Sequence, residues 1–325
     1  YVIIVSLLII YIKKQGHWQL KKSNLINPKK RKEMLTYAGF NLFAGMSSFM
    51  ALRIDSVMIP NIMSEDIFTN NGVYGIAAFM GNAIAIPYTS IINISSPLIS
   101  ESIKKEDLKH VKELYQKAST NLLLIGFCLF ALVNLSINDL FIFMDASDTL
   151  KNSVAVVTLI GLAKLFDMGS SLNNQIINFS KYYKYYIIFI SIMAVTNIAL
   201  NIVFIQKYGI VGAAIATCIS MFIFNLLKLL FIQFKFKINP FSKSTFQLLF
   251  IFIISVALIY FIPLNSLDSL NLDIRLSSIL KIVLRSSLFL FVYFGLILFI
   301  KPSKDFHTLL LDLWSGLKKG KLNLK

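Results

Sequence analysis

The chain has 325 residues, of which 56% are hydrophobic and 15% are charged, and its mean hydropathy is +0.71. Soluble domains carry about 25% charged residues, so this composition argues against a soluble protein and predicts a membrane protein. The formal net charge is +16, but long apolar segments divide the basic residues into short clusters, which is not the pattern of a nucleic-acid-binding protein. Cys128 and Cys218 lie in apolar segments, so neither a disulfide framework nor a thiolate metal site is predicted.

The first predicted element, residues 1–12, is apolar but too short to cross a bilayer, and we interpret it as the end of a truncated transmembrane helix. A helix needs about 20 apolar residues to cross about 30 Å of hydrocarbon. Eight further segments meet this requirement: 34–60, 73–99, 118–136, 153–179, 185–205, 210–233, 245–263 and 279–300. Pro60, Pro87 and Pro97 predict kinks in the first two.

The basic residues between these segments alternate from loop to loop. Twenty-four of them lie in 13–33, 101–117, 180–184, 234–244 and 301–325, whereas the intervening loops hold three. Loops that stay in the cytoplasm are enriched in Lys and Arg. The distribution therefore predicts a basic cytoplasmic linker at 13–33, a basic cytoplasmic tail at 301–325 and a cytoplasmic C-terminus.

Four connecting segments combine apolar and charged residues and are candidate helices on the membrane surface, with plain solvated linkers as the alternative. These segments are 17–32, 101–117, 138–150 and 305–317.

Enzyme motifs are absent from the sequence, which has no HExxH, no GxSxG and no Gly-rich phosphate loop. His17, His110 and His307 lie in basic segments and do not form a metal-binding pattern. We therefore predict a protein without cofactor, metal or catalytic residues, in which any transport draws on an ion or substrate gradient or is passive.

Ionisable residues inside spans are the main functional candidates, because a charge at the centre of the bilayer costs about 2.5–3.5 kcal/mol. Lys164 and Asp167 are three residues apart on one helix face, so they are predicted to pair. Lys228 and Lys281 lie near span ends and are predicted to extend toward the interface.

Arg53 and Asp55 are two residues apart and so lie on different faces of one helix, where each needs its own partner; Asp55 is a candidate for a gate or an ion pair. Arg285 is a weaker candidate. The spans carry five cations and two anions, which favours an anionic passenger. Asparagines in the spans are expected to join helices or to bind sugar hydroxyls. The predicted cavity residues are Arg53, Lys164, Asp167, Asn173, Asn174 and Arg285.

Four short stretches, in order, resemble the polysaccharide-exporter branch of the MOP superfamily, which contains the Wzx-type flippases and is related to MATE exporters and MurJ. The strongest is NIVFIQKYGIVGAAIATCIS at Asn201–Ser220. The others are RIDSVM at Arg53–Met58, GVYGIA at Gly72–Ala77 and NQIINFSKYY at Asn174–Tyr183.

This resemblance implies an all-α protein of fourteen transmembrane helices in two six-helix lobes, of which this chain holds the C-terminal portion. Residues 34–233 would form the C-terminal lobe and 234–300 two additional helices, while 13–33 would be the linker between the lobes. It further implies a flippase of the bacterial inner membrane that moves an undecaprenyl-pyrophosphate-linked oligosaccharide by alternating access.

The sequence leaves two alternatives open. One is a MATE-like drug and cation antiporter, which would need acidic cavity residues. The other is a membrane enzyme or ligase of envelope polysaccharide assembly. Expected partners are the lipid-linked oligosaccharide and membrane lipids, with a polysaccharide polymerase and glycosyltransferases in the same pathway, and no nucleic acid.

Overall fold

A computed structural model describes residues 2–15, 27–63, 67–262 and 273–302, and within these ranges the only regular elements are helices. In chain order they are α1 (Val2–Lys14), α2 (Pro28–Ile62), α3 (Ile67–Ala83), α4 (Ile86–Lys104), α5 (Leu108–Phe143), α6 (Asp148–Lys151), α7 (Val154–Ser170), α8 (Asn173–Phe179), α9 (Lys184–Phe236), α10 (Lys243–Tyr260) and α11 (Ile274–Ile300).

The predicted fold class is confirmed at a coarser level: the described residues form an all-helical structure, and several of its helices are long and apolar enough to span a membrane. Five helical stretches are long and apolar enough to cross a membrane: α5, Asp148–Ser170, α9, α10 and α11. The bent pair formed by α3 and α4 makes a sixth candidate. Their length and composition fit a multi-pass membrane protein. The predicted span 34–60 lies within α2, which is not among these helices.

Two predicted spans are broken in the structure rather than continuous. The axes of α3 and α4 differ by 48°, and α4 begins next to Pro87, which cannot donate a backbone hydrogen bond. The segment 153–179 is divided into α7 and α8 at Ser171, whose φ of 44° is unusual for a residue other than glycine. Apolar content predicts such segments, but it does not show where the backbone changes direction.

The predicted junction between 185–205 and 210–233 is confirmed at Gly209, inside α9. Its φ of 56° and ψ of −135° are not helical. The Asn197 amide donates to the Thr217 hydroxyl at 3.1 Å, although twenty residues of straight helix would span about 30 Å. The two parts of α9, 184–208 and 210–236, therefore fold back against each other.

Segment 101–117 is not a separate surface helix, which corrects that prediction. It contains the end of α4, a short turn and the first residues of α5, where the Asp107 carboxylate accepts from the backbone N–H of His110 at 3.0 Å. Such an N-cap explains why the charged segment ends one membrane helix and begins the next. The first part of 138–150 likewise continues α5. Most of 17–32 and all of 305–317 lie outside the described residues.

The chain forms two compact units, Tyr1–Phe43 and Ala44–Lys325. In the second unit α7 packs between α5, α3 and α9, and α11 packs along α5. Three apolar clusters fill this bundle. One joins α4, α5, α8 and α9, a second joins α5, α10 and α11, and a third joins α2, α3, α7 and α9. Polar side chains at the centre of the bundle are therefore enclosed by apolar ones.

Candidate functional site

A cavity of about 490 Å³ opens between α2, α3, α7 and α9. Its volume is within the range of small-molecule sites. Both polar and apolar side chains form its wall: Arg53, Asp55, Ser56, Tyr74, Gly75, Ala78, Phe79, Asn82, Ile160, Lys164, Thr217 and Met221. Two predicted cavity cations and the predicted gate carboxylate thus share one cavity.

Lys164 is half-buried on the α7 side of this cavity. Its predicted pairing with Asp167 is wrong, because within the described part of the chain Lys164 forms neither a hydrogen bond nor an ion pair. A spacing of three residues permits contact along a helix, but here Asp167 pairs with a different helix. The Lys164 ammonium therefore has no hydrogen-bonding or ionic partner among the described residues.

Asp55 lies on the opposite face of α2 from Arg53, as the spacing predicts, since Asp55 is buried and Arg53 is exposed. The Asp55 carboxylate accepts hydrogen bonds from the Tyr74 hydroxyl at 2.6 Å, the Asn201 amide at 2.7 Å and the Thr217 hydroxyl at 2.5 Å. These three donors come from α3 and from both parts of α9. The Asp55 carboxylate therefore connects α2 to α3 and to both parts of α9.

We call Asp55, Tyr74, Asn197, Asn201 and Thr217 the Asp55 cluster. The Asn201 amide also donates to the side-chain oxygen of Asn197 at 2.9 Å. The side-chain oxygen of Asn201 is buried without a hydrogen-bond partner among the described residues. The neutral donors offset part of the cost that burial imposes on the Asp55 carboxylate. No group of three or more His, Cys, Asp or Glu side chains in the described ranges is placed to bind a metal ion.

A second polar cluster lies at the break between α7 and α8 and contains Asp167, Asn174 and Lys228; we call it the Lys228 cluster. Lys228 is 1% exposed, so the prediction that it extends toward the interface is wrong. Its ammonium donates to the Asn174 side-chain oxygen at 2.9 Å, lies 4.0 Å from the Asp167 carboxylate and stacks 3.8 Å from the Phe224 ring centre. Sequence position alone missed this residue because the partners come from other helices.

Asn173 is fully buried beside the same break, where its side-chain oxygen accepts from the Tyr115 hydroxyl. Ser170 and Asn225 are joined by a hydrogen bond of 2.7 Å, which ties α7 to the second part of α9. Asn173 is not in the cavity that holds Lys164, and neither is Asn174. Of the predicted cavity residues, Arg53 and Lys164 therefore lie at the cavity, whereas Asp167, Asn173 and Asn174 lie at the break between α7 and α8.

Arg285 is separate from both clusters. Its guanidinium lies 2.5 Å from the Asp139 carboxylate and donates to the Leu135 carbonyl oxygen at 3.2 Å, and these contacts fasten α11 to α5. Asp139 falls in a segment that the sequence assigned to the membrane surface, which is why its role as partner was missed. The contacts favour a structural role for Arg285 over ligand binding.

Comparison with known protein-family models gives no match, and a search of curated proteins finds no significant relative. The arguments for function therefore depend on the residues of this chain.

Proposed function

We propose that the protein is a flippase that moves a lipid-linked oligosaccharide, carried on undecaprenyl pyrophosphate, across the bacterial inner membrane by alternating access. The observation that supports this proposal most is the free ammonium of Lys164 at a polar cavity inside a membrane bundle. Intramembrane charges are retained chiefly where they serve a ligand, a partner or a pathway. Since no described residue pairs with the Lys164 ammonium, this side chain is suited to an anionic ligand.

The cavity combines the chemistry that a sugar phosphate requires. Arg53 and Lys164 supply positive charge, and Ser56 and Asn82 supply neutral hydrogen-bonding groups. Among the described residues of the wall, two carry a formal positive charge, Arg53 and Lys164, and one carries a carboxylate, Asp55. Such an excess favours phosphate over a cationic drug.

Complementation tests the proposal. A strain that lacks its O-unit flippase receives the full-length gene or its Lys164→Ala variant, and surface O-antigen and membrane expression are measured. Lys164→Ala is expected to lower export at least about tenfold, because a charged contact to phosphate contributes about 1.5–3 kcal/mol. The matched control is Lys151→Ala, which replaces the exposed lysine at the end of α6. Full export by Lys164→Ala would contradict the proposal.

A cation antiporter is the second candidate, and the buried Asp55 is the observation that favours it. In everted vesicles an antiporter would drive proton- or sodium-dependent ethidium efflux, and Asp55→Asn would abolish that efflux. We expect no cation-driven ethidium efflux from the parent protein. If efflux occurs and depends on Asp55, the antiporter replaces the flippase as the conclusion.

A further inference from the structure

Polar side chains form a line along α4 that the cavity does not include. Thr89, Asn93, Ser96 and Ser100 are spaced by four, three and four residues, which places them on one face of the helix. We call these four residues the α4 polar stripe. Thr89 and Asn93 are exposed, whereas Ser96 and Ser100 are half-buried.

The neighbouring edge of the same helix carries exposed apolar side chains between Ser90 and Glu101. Ile94 is 72% exposed and Leu98 is 42% exposed, and both lie about 100° or more around the helix from Asn93. An exposed apolar edge is what lipid requires. α4 therefore presents two different edges outside the bundle, one suited to hydrocarbon and one to a polar medium.

Asn93 shows that the polar edge is not a lipid contact. Its amide makes no hydrogen bond within the described residues, whereas the Ser96 hydroxyl donates to the Ile92 carbonyl oxygen at 2.7 Å and the Thr89 hydroxyl to the Ile86 carbonyl oxygen at 3.2 Å. Hydrocarbon tolerates hydroxyls that are satisfied in this way, but an unpaired amide in lipid is costly. Asn93 therefore requires water or a polar ligand.

The stripe follows the cavity along the same bent span. Asn82, at the end of α3, is an exposed residue of the cavity wall, and Thr89 comes two turns later on α4. The stripe carries no formal charge, in contrast to Arg53 and Lys164. Neutral hydroxyl and amide groups match sugar hydroxyls, just as the two cations match phosphate.

We propose that the α4 polar stripe is a hydrated wall that contacts the uncharged sugar units of the ligand while the cavity holds its phosphate. The hydration of the stripe stands on the exposure and spacing of its residues. The identity of the ligand rests on the proposed function.

Cysteine labelling tests the hydration. In a cysteine-free background, which includes Cys128→Ala and Cys218→Ala at the two buried cysteines of this chain, single cysteines replace Asn93, Thr89 or, as the matched control, Ile94. A membrane-impermeant maleimide is applied to right-side-out and everted vesicles. Thiolates form in water and react, so we expect Asn93→Cys and Thr89→Cys to react at least about tenfold faster than Ile94→Cys. Equal rates would overturn the inference.

The sugar contact has its own test. Asn93→Leu is expected to lower O-unit export about fivefold relative to Ile94→Leu, the loss that one hydrogen bond of about 1 kcal/mol predicts. Equal export by the two variants would overturn the contact with sugar. Failure of the proposed function is distinguishable, because normal export by Lys164→Ala refutes the flippase while the labelling ratio still reports on the stripe.

Discussion

Lys228 provides the sharpest test of how charges are held inside this bundle. The Lys228 ammonium is 4.0 Å from the Asp167 carboxylate, and the two side chains are 1% and 21% exposed. At that distance and an effective dielectric constant of about 20, the attraction is about 4 kcal/mol. Exposure of Asp167 and the entropy of ordering both side chains reduce the net coupling to about 1–2 kcal/mol.

A double-mutant cycle measures this coupling. Lys228→Met keeps the apolar stem over Phe224 but removes the charge, and Asp167→Asn removes the other charge. Each single variant leaves one charge without its partner. The losses in free energy of unfolding of the two single variants are therefore expected to sum to about 1–2 kcal/mol more than the loss of the double variant. The free energy of unfolding of the purified protein is measured by SDS titration in mixed micelles.

The matched control replaces Lys109, an exposed lysine of α5, by Met and combines it with Asp167→Asn. Effects at these two sites are expected to add within about 0.5 kcal/mol. If the Lys228 and Asp167 variants also add within about 0.5 kcal/mol, the ion pair does not contribute and the assignment of the Lys228 cluster is refuted.

The fold of α9 gives the remaining predictions. A Cβ atom at Gly212 would lie 2.0 Å from the Phe204 carbonyl oxygen, so Gly212→Ala is expected to lower stability by at least about 3 kcal/mol and to reduce folded protein in size-exclusion chromatography. Gly295→Ala is the control, because no atom lies within 4 Å of the added Cβ, and it is expected to be neutral. Equal losses of stability in the Gly212 and Gly295 variants would contradict the close packing of the two parts of α9. Gly209→Ala is expected to cost about 1–3 kcal/mol in the same unfolding assay, since a φ of 56° with a ψ of −135° is strained for alanine, and no change would contradict that backbone geometry.

The sequence predicted the features of the fold that depend on apolar runs and on local backbone demands. The helical class follows from segments long enough to span a bilayer, and the turn in α9 follows from Gly209 between two such segments. The break at Ser171 was not predictable in this way. Serine does not favour a positive φ, and although the segment Gly169–Gln175 (GSSLNNQ) is polar, its composition does not show at which residue the helix breaks. Tertiary contacts, such as the Tyr88 hydroxyl that donates to the Ser171 carbonyl oxygen, hold that conformation.

The candidate site was predicted in its residue types but not in its pairings. The spacing of Lys164 and Asp167 describes one helix, whereas the partner of Asp167 is Lys228 on another helix. Spacing correctly placed Arg53 and Asp55 on different faces, because residues two apart on one helix differ by about 200° around its axis. Pairing between helices depends on how α7 and α9 are rotated against each other, and a single sequence carries no signal for that rotation.

The hydrogen bonds of Asp55 also explain why this carboxylate does not pair with Lys164. Lys164 and Asp55 line the same cavity but form no ion pair with each other, so Asp55 does not neutralise the Lys164 ammonium by direct contact. Asp55 is already held by three neutral donors, and moving it toward Lys164 would break those hydrogen bonds. Water or an anion can contact the Lys164 ammonium without disturbing the helices that Asp55 joins.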